Sequence, residues 1–249
     1  MNKLSDFFDN WEELTNDKGR KPAMDFACTS VFRMDNDFHR NAYRFYDMYK
    51  DRAQMGKRSL TIRNIDEIRK YFVEESGVAD VISRKVGVNF VLHPMKSETF
   101  LYNLTPDVKV QKNIDNWHYD YMPFVFVYMV EKDDNGSGKL ILDLGKEKKE
   151  INLSVGEGIF MQGSMIRHLA QRCESGRRTT LVLSFLAKDV TVVDNTHVTK
   201  DMCPYHKGEN LHEQYLEYKR ERVDRLSKMK NNLMETIQRE RSDIFKSWL

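Results

Sequence analysis

The tetrapeptide Trp117-His118-Tyr119-Asp120 places an imidazole and a carboxylate on either side of a single residue. On a β-strand, side chains two positions apart project from the same face, so His118 and Asp120 would point the same way. A third candidate ligand, His168, lies beyond several further strand-like stretches. Two histidines and one carboxylate form a triad that binds iron(II) and leaves coordination positions open. The residues therefore predict a mononuclear iron centre.

An arginine lies ten positions after the distal histidine. Arg178 begins an apolar strand, and Thr180 lies on the same face of that strand. A guanidinium can bind a carboxylate through two parallel hydrogen bonds, and the hydroxyl could add a third donor. Arg177 is adjacent and would point to the other face. The alternative is that both arginines are solvated turn residues after Gly176, but the apolar strand favours an inward Arg178.

Together these residues resemble the motif of the Fe(II)/2-oxoglutarate-dependent dioxygenases, in which His-x-Asp is followed by a distal His and, about ten positions later, by Arg. The similarity covers roughly residues 100–185. It implies that His118, Asp120 and His168 bind Fe(II), with 2-oxoglutarate and O2 as co-substrates. It also implies that Arg178 and Thr180 bind 2-oxoglutarate.

The resemblance adds weaker candidates for the 2-oxoglutarate site. In the family, a Tyr or Asn on the strand before the motif often contacts 2-oxoglutarate, and Tyr102 and Asn103 occupy that strand here. Tyr128 is similarly placed to direct a phenol inward. The alternative for each tyrosine is ordinary core packing.

The expected activity is hydroxylation of an unactivated C–H bond in a small molecule such as a free amino acid. Asp120 disfavours halogenation, because the halogenases of this superfamily replace that carboxylate by a small residue. Two alternatives stay open: a peptidyl or prolyl hydroxylase, and a non-catalytic cupin-like binding protein. A zinc site at Cys203, His206 and His212 lacks a second ligand pair at usable spacing. His93 is expected near the cavity mouth or in a structural role.

The composition of the 249 residues is that of an ordinary globular protein, with 40% apolar and 31% charged residues. Its 40 basic and 38 acidic residues give a net charge of +2, which offers no support for a nucleic-acid or membrane partner. Three cysteines without framework spacing fit a reducing compartment, so a cytoplasmic location is expected. The N-terminus has no apolar signal segment.

Many short strands separated by turns predict a mainly β fold with flanking helices, built on a double-stranded β-helix core of the jelly-roll or cupin-like type. We expect one dioxygenase domain over residues 1–249, comprising a helical N-terminal part (1–85), a jelly-roll core (86–195) and a C-terminal helix (205–249). Asp35 and Asn64 are expected to cap two of the N-terminal helices.

The C-terminal helix should carry a narrow apolar stripe on a highly charged background. The stripe consists of Leu226, Met229, Leu233, Ile237 and Ile244. Such a stripe indicates a surface helix packed on the barrel. The alternative is a homodimer contact, since a narrow stripe is also typical of a coiled-coil seam.

Overall fold

The structure is a computed structural model that describes residues 1–55, 60–105, 116–133, 137–171, 173, 176–198 and 210–246, with the backbone alone for Met55 and residues 236–246. The helices are α1 (Asn36–Tyr49), α2 (Asp66–Lys70), α3 (Val78–Val86) and α4 (Leu211–Lys246). The strands are β1 (Phe32–Arg33), β2 (Gln54–Met55), β3 (Leu60–Ile62), β4 (Phe90–Leu92), β5 (Phe100–Thr105), β6 (Phe124–Lys132), β7 (Leu140–Asp143), β8 (Lys148–Ile151), β9 (Glu157–Met161), β10 (Arg167–Ala170) and β11 (Arg178–Ala187).

The strands form two antiparallel sheets. The larger sheet has the order β1-β9-β6-β11-β5-β3-β2, and β4 also pairs with β11. The smaller sheet has the order β10-β7-β8, and a bridge between His118 and His168 extends it by one position. Side chains from both sheets share one buried cluster, so the sheets pack face to face. This is the double-sheet arrangement expected of a jelly roll.

The two faces of the larger sheet have different partners, as β6 shows. Phe124, Phe126 and Tyr128 belong to the cluster that includes α1 and α3. Val125 and Val127 belong instead to the cluster shared with the smaller sheet. This alternation follows from the two-residue period of a strand, with every β6 residue in this stretch buried. We call the first side the helix face and the second the interior face.

The N-terminal part is less helical than expected. Helices occupy stretches between residues 36 and 86, whereas the first 35 residues contain only short 3-10 turns and β1, and β2 and β3 add to the sheet. The early segment satisfies its backbone groups through the core: the Ala23 N–H donates to Gln162 Oε1 at 2.7 Å, and Gln162 Nε2 donates to the Phe26 carbonyl at 2.6 Å. Because buried backbone groups need partners of some kind, these bonds replace helical ones.

Of the two expected helix caps, one is confirmed. Asp35 is the N-cap of α1 and accepts a hydrogen bond from the Phe38 N–H at 2.7 Å. The second expectation was wrong, because the N-cap of α2 is Ile65 and Asn64 adopts a positive φ of 56°. Within the described residues, no helix combines the length and apolar composition needed to span a bilayer.

The C-terminal helix is present as α4, but its apolar stripe does not pack on the barrel where side chains are described. Leu211 and Tyr218 are buried near the start of α4, whereas Leu226, Met229 and Leu233 are 37%, 44% and 61% exposed. Side-chain contacts anchor α4 as far as Arg222, whose Nη2 donates to the Val190 carbonyl at 2.7 Å, and the side chains of residues 223–235 are exposed. The side chains of Ile237 and Ile244 lie outside the described residues, and a homodimer contact stays a prediction.

Candidate metal centre

Three side chains predicted to bind a metal converge between the two sheets. His168 Nε2 lies 3.4 Å from Asp120 Oδ2, and His118 Nε2 lies 3.6 Å from Asp120 Oδ1. One ligand atom from each of the three residues lies within 4.8 Å of the others. A single cation could therefore contact all three.

Backbone hydrogen bonds hold the triad in register. His118 and His168 exchange both backbone bonds, at 3.0 and 2.9 Å, so they are directly opposed and their side chains share a face. The Asp120 N–H donates to the Gly163 carbonyl at 2.9 Å. A Cβ atom at Gly163 would lie only 2.2 Å from Asp120 Oδ2. The position of the carboxylate therefore requires glycine at this point.

The orientation of both imidazoles is set by their second nitrogen. His118 Nδ1 lies 2.9 Å from the Asn116 carbonyl, and His168 Nδ1 lies 2.8 Å from the Ile166 carbonyl. A carbonyl can only accept, so each Nδ1 carries the proton in this arrangement. Nε2 is then the unprotonated nitrogen of each neutral ring and is available to a metal.

The carboxylate is suited to a cation. Burial alone would raise the pKa of Asp120, but the neighbouring His168 and His118 outweigh burial and hold this pKa below its ordinary value. Asp120 Oδ2 is buried and, among the described residues, accepts no hydrogen bond. Two imidazole nitrogens and one carboxylate suit iron(II) rather than thiolate-selecting metals. The residues present thus fit the metal that the sequence implies.

The two arginines after the distal histidine are separated as expected. Arg178 is 2% exposed, and its Cδ lies 3.3 Å from where a Cβ at Gly138 would stand, beside the smaller sheet. Thr180 is also buried and shares this interior face. Arg177 is exposed and pairs with Glu131 and Asp133, each at 3.4 Å. Arg178 and Thr180 therefore lie inside the barrel, in the strand next to β6.

The structure does not bring Tyr102 and Tyr128 to the interior face. The Tyr102 hydroxyl donates to the Ala42 carbonyl of α1 at 3.0 Å, and the Tyr128 hydroxyl lies 2.9 Å from His39 Nδ1. Both phenols therefore lie on the helix face, on the side of the sheet away from Arg178. The expectation of inward phenols was wrong, because the alternation of β5 and β6 turns both tyrosines to the helix face.

The neighbour of Tyr102 takes the interior position instead. Asn103 pairs with Thr180 across β5 and β11, and directly paired residues project from the same face of a sheet. Asn103 was the second candidate on this strand. Preferring Asn103 to Tyr102 requires the register of β5 against β11, which the sequence does not display.

Two other histidines of the described residues, His93 and His212, are not part of this centre. His93 is fully buried, and its Nε2 lies 3.0 Å from Thr196 Oγ1. Burial lowers the pKa of His93 to about 3, so it is neutral at physiological pH and has a structural role. His212 is an exposed residue of α4. Cys203 and His206 lie outside the described residues.

One residue near the centre was missed in the sequence. Arg20 reaches Asp120 from the N-terminal segment, and its Nη1 donates a hydrogen bond to the Asp120 backbone carbonyl. Nothing in the local sequence marks it, because the contact joins residues that are far apart in the chain. Only the tertiary path of the N-terminal segment reveals it.

Comparison with known proteins supports the fold. No model of a known protein family matches the sequence, and neither does any curated protein. Among solved structures, the chain is similar to the non-haem α-ketoglutarate-dependent epimerase SnoN from nogalamycin biosynthesis, at 9% identity over 64% of this chain and 77% of that one, with a TM-score of 0.50. A prolyl-4-hydroxylase from Pseudomonas putida matches at 12% identity over 74% and 99% of the two chains, with a TM-score of 0.48.

At these identities the likeness concerns the fold, and the chemistry has to be read from the side chains. The motif expected from the sequence and the double-sheet architecture are found together in one molecule. The chain thus has the fold of the 2-oxoglutarate-dependent non-haem iron oxygenases and carries a His-x-Asp and distal His triad at its centre.

Proposed function

We propose that this protein is an Fe(II)- and 2-oxoglutarate-dependent oxygenase that hydroxylates an unactivated C–H bond of a small metabolite, such as a free amino acid. The observation that carries the proposal is the convergence of His118, Asp120 and His168, with both Nε2 atoms directed at an ionised carboxylate. When bound, iron(II) would supply O2 activation coupled to oxidation of 2-oxoglutarate to succinate and CO2.

The chain's own contribution is to bind and orient the reactants. Arg178 would bind the distal carboxylate of 2-oxoglutarate, and Thr180 would donate a hydroxyl to the same group. Their burial on the interior face, in the strand next to β6, supports this role. The two packed sheets would exclude water from the reacting centre. Three side chains would fill three coordination positions of the metal, leaving others for co-substrates.

A small substrate is supported by the N-terminal segment. Asn16 Nδ2 donates to the Ser164 carbonyl at 2.9 Å, and Arg20 contacts Asp120, so this segment crosses beside the metal ligands. We expect such a crossing to limit access to the centre, which favours a compact molecule over a polypeptide. Asp120 favours oxygenation over halogenation, because the halogenases of the superfamily lack this carboxylate.

The test of the proposal is succinate formation by purified protein supplied with Fe(II), 2-oxoglutarate and O2, even without a substrate. We expect slow turnover in the wild type and its loss in His118→Ala. His212→Ala is the matched control, since His212 is an exposed histidine remote from the ligands in sequence. Absence of both iron binding and succinate formation in the wild type would contradict the proposal.

The co-substrate assignment has its own pair of variants. Arg178→Gln should raise the KM for 2-oxoglutarate by about 10- to 100-fold, the range for a lost hydrogen bond to a charged group. Arg177→Gln removes an adjacent arginine that pairs only at the surface, and it should leave this KM unchanged. Equal effects of the two substitutions would show that Arg178 is not the anchor.

A further inference from the structure

The N-terminal segment holds Arg20 in a fixed position beside the metal centre. Asn16 Oδ1 accepts hydrogen bonds from the Lys18 and Arg20 N–H groups, each at 3.0 Å, and the Asn16 N–H donates to the Arg20 carbonyl at 3.0 Å. Asn195 Nδ2 donates to the Lys21 carbonyl at 2.7 Å. The backbone at Arg20 is therefore tied to the core from both sides.

The Arg20 guanidinium has more donors than its protein partner uses. Nη1 donates to the Asp120 carbonyl, which is a single neutral acceptor. A guanidinium carries five N–H groups in a planar fork. Within the described part of the chain, Arg20 forms no salt bridge. Burial lowers the pKa of Arg20, although nearby groups, chiefly Asp120, oppose that shift. A half-buried charge is thus retained without a dedicated carboxylate partner.

The surroundings of Arg20 suit a ligand rather than a purely structural tie. Tyr119 and Tyr121 flank the metal ligand Asp120, whose backbone carbonyl accepts the hydrogen bond from Arg20. The His197 N–H donates to the Tyr121 carbonyl at 3.0 Å, and the Arg20 charge helps to lower the pKa of His197 after the larger effect of burial. A donor to one carbonyl needs no charge, so a neutral side chain would serve if Arg20 only held the loop.

We propose that Arg20 binds an anionic group of the substrate, a carboxylate in the case of a free amino acid, and so holds the substrate beside the metal. The inference rests on the proposed function and names the substrate class for the same site. Planar guanidinium groups bind carboxylates through paired hydrogen bonds, which would fix the orientation of the substrate as well as its position. Arg20 would then determine specificity for acids over their neutral analogues.

The test uses matched acids and amides. The probes are the standard free L-amino acids and the corresponding primary amides, supplied to the Fe(II)-loaded protein with 2-oxoglutarate and O2. The readouts are succinate formation above the substrate-free rate and a mass gain of one oxygen. We expect at least one acid to accelerate succinate formation and to gain oxygen, and its amide to do neither.

Variants then separate binding from structure. Arg20→Gln should raise the KM for the active acid by about 10- to 100-fold. Arg20→Lys, which keeps the charge without the fork, should recover part of the loss. Asn16→Ala loosens the same turn without removing charge, and it should retain the preference for the acid.

Each other outcome has a defined meaning. The inference is overturned if amides match their acids, if no acid is accepted, if Arg20→Gln keeps the acid KM, or if Asn16→Ala abolishes the preference equally. If the wild type forms succinate without substrate alongside any of these results, the inference fails but the proposed function is retained. If the protein neither binds iron nor forms succinate, the proposed function itself fails and the inference fails with it.

Discussion

The two faces of the larger sheet differ sharply in chemistry. The helix face is packed with aromatic rings: Phe124 stacks on Phe160 with centroids 5.9 Å apart, and Phe160 meets Phe185 edge-on at 5.5 Å. The interior face of the same strands carries Arg178 and Thr180, both buried, and looks toward the metal ligands. The helix face is thus dominated by aromatic rings, whereas the interior face adds buried polar side chains to aliphatic ones such as Val125 and Val127.

This difference between the faces explains how a polar centre can be buried without a large loss of folding stability. Burying a charged or polar group is unfavourable unless it is paired, whereas each buried aromatic side chain contributes a large apolar area. Packing on the helix face therefore stabilises the fold, and this stabilisation offsets the cost of burying polar side chains on the interior face. This division predicts that substitutions on the two faces have separable effects on stability and on metal binding.

The largest effect should follow truncation on the helix face. Phe126 is fully buried and contacts Phe32, Phe38 and Tyr128. Phe126→Ala should lower the free energy of unfolding by about 3–5 kcal/mol, as measured by chemical denaturation of the metal-free protein. Iron affinity per folded molecule should not change. A large loss of iron affinity in the folded fraction would mean that the faces are not separable.

Two glycines test the two faces of the larger sheet separately. A Cβ added at one would crowd the metal centre, and a Cβ added at the other would crowd the helix face. A Cβ at Gly163 would lie 2.2 Å from Asp120 Oδ2, on the side of the metal centre. Gly163→Ala should displace the carboxylate and reduce Fe(II) affinity by about 10- to 100-fold, the range for losing a residue that orients a ligand. Anaerobic titration with Fe(II) would measure this.

The matched control is the second glycine, which lies on β9. A Cβ at Gly158 would lie 2.4 Å from the Phe126 ring, so Gly158→Ala crowds the helix face. It should destabilise folding by about 1–3 kcal/mol and leave Fe(II) affinity of the folded protein unchanged. Equal losses of Fe(II) affinity in the two variants would show that any crowding of the larger sheet disturbs the metal centre. The effects of the two faces would then not be separable.

Much of the centre could be predicted because its signal is local. His118 and Asp120 lie two positions apart, and the spacing from His168 to Arg178 places both within short, recognisable strands. The succession of short strands separated by turns likewise predicted the double-sheet core. These features depend on residue type and period, which the sequence displays directly.

What could not be predicted depends on tertiary paths and register. The face of Tyr102 follows from its pairing with Leu181, and β6 has an irregularity opposite Thr179 and Thr180 that changes which residues face inward beyond it. The approach of Arg20 to Asp120 and the exposure of α4 beyond Arg222 depend on where distant segments pack. No local pattern encodes those contacts.

The smallest effect concerns the phenol of Tyr128, which lies on the helix face. Its hydroxyl lies 2.9 Å from His39 Nδ1 on the helix face, so Tyr128→Phe should cost about 0.5–1.5 kcal/mol of stability, the worth of one hydrogen bond. The KM for 2-oxoglutarate should stay unchanged.

The comparison variant for Tyr128→Phe lies on the neighbouring strand. Thr180→Val removes a hydroxyl of the interior face, and it should raise the KM for 2-oxoglutarate by about two- to tenfold, for the loss of one hydrogen bond. Steady-state succinate formation at varied 2-oxoglutarate measures both variants. A raised KM in Tyr128→Phe with none in Thr180→Val would reverse the assignment of the two faces. The opposite result would show that a single hydroxyl is enough to tell the catalytic side of the sheet from its supporting side.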